Sequence, residues 1–262
     1  MQNKLVVVAL LVIVTVGFFL VQQYLNGDAQ ETDEVAVMAP GSFAVRPVEH
    51  ASFLLEFGGV TIANDPVGDT SAYQLNGTVP VLILLTDIHP DHLSVETLSS
   101  MTGASTTLIA PQAVFDELTT ELQEQTVVMG NGDVHSVAGV SIEAIPMYNL
   151  PETEDAFHTK GRGNGYLLEQ AETRIYIAGD TADIPEMRNL DDIDVAFIPM
   201  NLPYTMDVET AADAVLDFAP SVVYPYHFRG TDGLADISEF KRIVLEGNPG
   251  IEVIELDWYP GN

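Results

Sequence analysis

Most of the chain is built from short apolar runs separated by Gly, Pro, Asp and Asn, but it opens on one long unbroken apolar stretch, residues 5–21 (LVVVALLVIVTVGFFLV). At about 1.5 Å per residue such a stretch reaches roughly 25 Å as a helix, just short of a ~30 Å hydrocarbon core. The pattern predicts a hydrophobic helix over residues 1–25, either a cleaved signal peptide or an uncleaved anchor. Lys4 precedes it and acidic residues follow it from 28 to 34, which favours export of the remainder. Residues 26–42 are polar, acidic and weakly patterned, and read as a linker.

From residue 43 the pattern is that of one folded domain, 43–262. Residues 51–57 and 60–63 flank Gly58-Gly59 and predict a hairpin. Residues 81–85 read as a buried strand and 94–100 as a short helix capped by Ser94. A strand over 107–110 and a helix over 112–123 follow. Strands return over 137–145, after a turn that holds His135. Residues 165–169 and 174–178 form a second hairpin pair, and 195–199 another strand. The spacing of Ala211, Ala212, Val215 and Phe218 predicts a helix over 208–218. A strand over 221–226, a helix over 236–246 and a strand over 251–256 close the chain. Hairpins mixed with single helices predict an α/β fold of two sheets with helices on their outer faces.

Composition narrows the chemistry. With 39 acidic against 9 basic residues the net charge is −30, and such a surface repels nucleic acid and anionic lipid heads. The acidity is spread along the chain, as in proteins that stay soluble in high salt. There is no cysteine, which excludes disulfides, a lipid-modified cysteine anchor and thiolate metal sites. Any metal site must be built from His, Asp, Glu or Asn.

Such residues are concentrated in Thr86-Asp87-Ile88-His89-Pro90-Asp91-His92, directly after the apolar run 79–85. Four potential ligands within six residues beside a core need a partner for their charge, and a divalent cation is a suitable one. Two further apolar strands end in the same way, one at Gly179-Asp180-Thr181 and one at Tyr226-His227. Asp87, His89, Asp91, His92, Asp180 and His227 together have the ligand count of a site for one or two divalent ions.

These residues resemble the signature of the metallo-β-lactamase superfamily. Further segments, among them His50-Ala51-Ser52-Phe53, Asp65-Pro66, Met147-Tyr148-Asn149, Phe157-His158 and Tyr204-Thr205-Met206, are similar to the branch of metal-dependent hydrolases near ascorbate-6-phosphate lactonase. The resemblance implies a four-layer αββα sandwich with the site on one edge between the sheets. It also implies hydrolysis by a metal-bound hydroxide, with Asp91 orienting the nucleophile or moving its proton. His158 or His50 is then a candidate proton donor to the leaving group.

The pattern departs from the superfamily twice. Asp87 stands where most members have the first histidine, as in the lactonase-like branch. No histidine stands near Met147-Tyr148-Asn149, where the middle ligand is expected, which leaves Asn149 or His158 to supply it. More oxygen in the donor set softens the preference for zinc toward harder ions such as manganese. His50, Asn149 and Thr205 are expected to border a small-molecule substrate. An ester, lactone or amide is the expected substrate, with phosphodiester hydrolysis, or a small-molecule-binding pseudoenzyme, as the alternative. Asp65 before Pro66 reads as a turn former.

Overall fold

The structure, a computed structural model, describes residues 41–259; the apolar stretch 5–21 and nearly all of the linker lie outside them. Two sheets stack face to face. The first has six strands in sequential order: β1 (Phe43–Glu49), β2 (Ser52–Phe57), β3 (Val60–Asn64), β4 (Leu82–Leu84), β5 (Thr107–Ala110) and β6 (Thr126–Val128). The first three are antiparallel, and β3 to β6 run parallel. Gly58 and Gly59 make the β2–β3 turn with φ of 56° and 85°, the pair of left-handed conformations a tight hairpin demands.

The second sheet has seven strands: β7 (Val134–Val137), β8 (Val140–Met147), β9 (Gly163–Gln170), β10 (Thr173–Ile177), β11 (Val195–Pro199), β12 (Val222–Tyr226) and, after the small hairpin β13 (Arg229–Gly230) and β14 (Gly233–Leu234), β15 (Glu252–Val253). Here β10, β11, β12 and β15 are parallel.

Alternation along the strands sends residues to both faces. On β2, Phe53, Leu55 and Phe57 point between the sheets and meet Tyr166, Tyr176 and Phe197 of the second sheet in one buried cluster. Leu54 points outward, where with Ile83 and Leu108 it packs on α1 (Val95–Met101), α2 (Gln112–Phe115) and α3 (Thr120–Gln123). The short α4 (Pro185–Arg188), α5 (Val208–Phe218) and α6 (Ile237–Gly247) belong to the second sheet's side, with Met187, Ala211, Val215, Phe240 and Val244 buried. The layers are therefore helix, sheet, sheet, helix. Asp207 and Asp236 cap α5 and α6 by accepting from the amides of Thr210 and Glu239.

Three expectations change. The helix over 112–123 is two helices, because Thr119 adopts an extended backbone and its hydroxyl caps a new start at Leu122 N. His135 lies within β7, not in a turn, paired with Ile142. The final strand shrinks to Glu252–Val253, where pairing with β12 ends.

Candidate metal centre

Parallel strands all point their C-terminal ends the same way, and the site forms where they stop. Asp65 follows β3 and Thr86-Asp87 follows β4 in the first sheet; Gly179-Asp180, Asn201 and His227 follow β10, β11 and β12 in the second. Sheet edges give these side chains rigid support while the loops keep them accessible.

Three groups result, the last two sharing His227: Asp87, His89 and His158; His92, Asp180 and His227; and His50, Asp91 and His227. In the first, His89 Nδ1 is 2.6 Å and His158 Nε2 3.6 Å from Asp87 Oδ2. In the second, His92 Nε2 lies 3.1 Å from His227 Nε2. Asp180 joins the groups: its Oδ2 is 3.4 Å from both His92 Nε2 and His158 Nε2, and its Oδ1 is 3.2 Å from His227 Nε2. Asp91 Oδ2 sits 3.5 Å from His227 Nε2 and 3.3 Å from His50 Nε2.

Gly179 makes the sharp entry to Asp180. Its φ is 64°, and a Cβ there would come within 2.5 Å of Met147 Sδ, so a larger residue would be strained and would have to displace Met147. His50, Asp65 and His227 also hold left-handed backbones, at φ of 58°, 40° and 48°.

The donor set fits a divalent cation. His158 Nε2 and Asp180 Oδ1 are buried with no hydrogen-bond partner, and the Nε2 atoms of His92 and His227 face one another at 3.1 Å, where both cannot carry a proton. Buried groups of this kind call for a cation between them.

Carboxylates beneath the site set its charges. His92 Nδ1 is 2.9 Å from Asp65 Oδ2, so Asp65 orients the ring and turns Nε2 toward the site. Asp65 is itself fully buried, and accepts from Thr86 N at 2.7 Å and Thr86 Oγ1 at 2.6 Å. Burial pushes the Asp65 carboxyl up. Burial also acts upward on Asp91, but hydrogen bonds from His227 and His50 outweigh it and hold Asp91 well below the usual carboxylate range. Burial lowers His50 and His158. Arg162 grips both oxygens of Asp87, at 3.1 and 3.0 Å, and donates to Phe157 O at 2.6 Å.

The structure therefore brings together all six residues expected to hold metal, and adds His158 to Asp87 and His89. Asn149 is in none of these groups: its Oδ1 accepts from His158 N at 2.8 Å and faces His158 Nδ1 at 3.2 Å, while its Nδ2 donates to Tyr204 O at 2.8 Å. Thr205 is likewise engaged inside its loop, donating to Asn201 Oδ1 at 2.6 Å and accepting from Asn201 N at 2.9 Å. His50 reaches the site through Asp91, with its Nδ1 2.7 Å from the Tyr259 hydroxyl. Asp65, Asn201 and Tyr204 escaped the residue-by-residue reading. Asp65 carried one usable signal, an acid at the end of the strand beside the one that bears the motif.

A family model for the beta-lactamase superfamily domain matches residues 44–227. The chain belongs to the metallo-β-lactamase superfamily. It is 31% identical over 219 residues to a UPF0173 metal-dependent hydrolase of Methanopyrus kandleri, a match spanning 79% of this chain and 94% of that one. A relative from Pyrobaculum arsenaticum bearing the same description is 33% identical over 202 residues, 70% of this chain and 83% of its own. Among solved structures, a metal-dependent hydrolase from Parabacteroides distasonis superposes with a TM-score of 0.72 at 36% identity, covering 83% of this chain and 94% of that one.

These relatives correct the expectation of export and membrane anchoring. The match takes up 94% of the Methanopyrus protein and 99% of one from Thermococcus onnurineus, but only 79% and 81% of this chain, so these archaeal hydrolases have no room for a comparable leader. Among the described residues no helix is long and apolar enough to cross a membrane. The apolar run that prompted the expectation lies outside them.

Proposed function

We propose that this metal-dependent hydrolase of the metallo-β-lactamase superfamily cleaves a small carboxylic ester, lactone or amide in the cavity lined by His89, Asp91, His158 and Asp180. The observation that carries the reading is the convergence of three His/Asp groups on that one cavity, with Asp180 shared between its two sides. Asp87, His89 and His158 would hold one ion, and Asp91, His92 and His227 a second, of the zinc or manganese kind. When bound, such ions would lower the pKa of bound water to about 7 and polarise the carbonyl to be attacked.

The chain's own residues do the rest. Asp91, partly exposed to the cavity, accepts a hydrogen bond from the attacking water and holds it against the substrate. An ionised carboxylate only accepts, so His50 carries its proton on Nε2 and steadies Asp91 from behind. The water oxygen bonds to the acyl carbon, the acyl C–O or C–N bond breaks with its electron pair, and the water's proton passes by way of Asp91 to the departing oxygen or nitrogen.

The test is metal analysis of purified protein beside assays with ester, lactone, amide and phosphodiester substrates. The reading expects up to two ions per chain and turnover of carboxylic substrates that Asp91→Ala cuts by at least about a hundredfold in a folded, metal-loaded protein. Turnover of phosphodiesters alone, or small-molecule binding without turnover in protein that retains no metal, would overturn it.

A further inference from the structure

The cavity beside the metal centre has a volume of about 360 Å³, and its walls divide sharply in character. One side is the His/Asp centre. The other is Phe157 and Tyr204, from the loop between β8 and β9 and the loop after β11, whose rings meet edge to face at 4.9 Å. Phe157 is 49% exposed, a large cost for an aromatic ring that nothing covers. On the same two loops Leu150 and Leu202 are 46% and 52% exposed, so three of the seven exposed large hydrophobics among the described residues gather here.

The neighbouring cations are already committed. Arg162 is spent on Asp87 and on the Phe157 carbonyl. Lys160 donates to Glu186 at 2.8 Å and to the Tyr148 hydroxyl at 3.2 Å, and Arg229 pairs with Glu49 at 3.5 Å. No Lys or Arg lines the cavity, whereas Asp91 and Asp180 do. A phosphate or second carboxylate on the substrate would find no Lys or Arg in the lining to pair with, and the surface field of a chain with net charge −30 would repel it on approach.

We infer that the substrate is a neutral acyl compound bearing an apolar or aromatic group, and that Phe157 and Tyr204 receive that group and set specificity. The inference rests on the ester, lactone or amide reading of the same cavity. Arg162 gives the wall its precision: the guanidinium that grips Asp87 also holds the Phe157 carbonyl, so ring and metal centre share one anchor.

The experiment uses metal-loaded protein and p-nitrophenyl esters from acetate to hexanoate, with a phenylacetate ester, a succinate half-ester carrying a free carboxylate, and bis-p-nitrophenyl phosphate. Rates are divided by each ester's spontaneous alkaline rate. The expected result is a kcat/KM that rises up to roughly fourfold per added methylene until the cavity fills. The half-ester should fall below its neutral counterpart. Phe157→Ala should flatten the series, mainly through KM of the longer esters, with metal content unchanged, and Phe157→Leu should restore much of the slope. A flat series, or preference for the half-ester, overturns this inference and leaves the ester reading standing. No turnover of any carboxylic ester with metal bound overturns the ester reading, and the inference with it.

Discussion

The two sides of the metal centre are built differently. On one side Asp180 and His227 stand at the exits of β10 and β12, and His92, fully buried in the turn after β4, is braced by Asp65 from the end of the adjacent strand β3. On the other, Asp87 and His89 share β4's exit but His158 comes from the fifteen-residue connection between β8 and β9. Nothing in a sheet places His158. Asn149 does, through a side chain that binds the histidine's backbone and ring and ties the loop to Tyr204. A ligand at a strand end inherits the rigidity of the sheet; one on a loop needs its own fastener. The first side should therefore hold its ion more tightly than the second.

Removing the shared residue should have the largest effect. Asp180→Ala should lower kcat/KM by at least about a thousandfold, about 4 kcal/mol of transition-state stabilisation, and weaken both ions together by titration calorimetry. Loss of one ion alone would mean that Asp180 serves a single side. Asp65→Ala comes next. It strands the Thr86 amide and the His92 ring in the core, so denaturant melts should show a loss of about 3 kcal/mol, with metal affinity down roughly 10- to 100-fold on the His92 side.

Asn149→Ala should cost roughly tenfold in metal affinity, confined to the His158 side, and Asn149→Asp, which keeps the acceptor, should recover part of it. Stepwise removal by a chelator sharpens the same contrast: the ion beside His158 should leave first, read as a plateau at one ion per chain. A single concerted loss would erase the proposed asymmetry. Thr205→Val is the mildest change. It breaks the fastening of Asn201 and should cost about 1 kcal/mol of stability by thermal melt, with metal content intact.

The strand-built side was largely legible in the sequence. Apolar runs ending in His or Asp mark strand ends, and the parallel strands of the second sheet bring Asp180 and His227 side by side. The loop-built side was not. His158 lies nine residues beyond Asn149, and which of the two turns toward the ions depends on the path of the loop, not on a period. Asp65 was obscured for a related reason. An acid before a proline satisfies the local rules for a turn, and only the pairing of β3 with β4 shows that it lies under His92. The break in the helix at Thr119 was hidden because apolar spacing continues through it to Leu122.

The left-handed backbones at His50, Asp65 and His227 bear on how this protein can be engineered. Each carries a conformational penalty of about 1–2 kcal/mol that glycine would remove. At Asp65 that relief is smaller than the loss of the side chain's bonds to Thr86 and His92, so glycine there would give up stability as well as the site. Thermal hardening should therefore be sought in the helical outer layers, with the strand ends held constant.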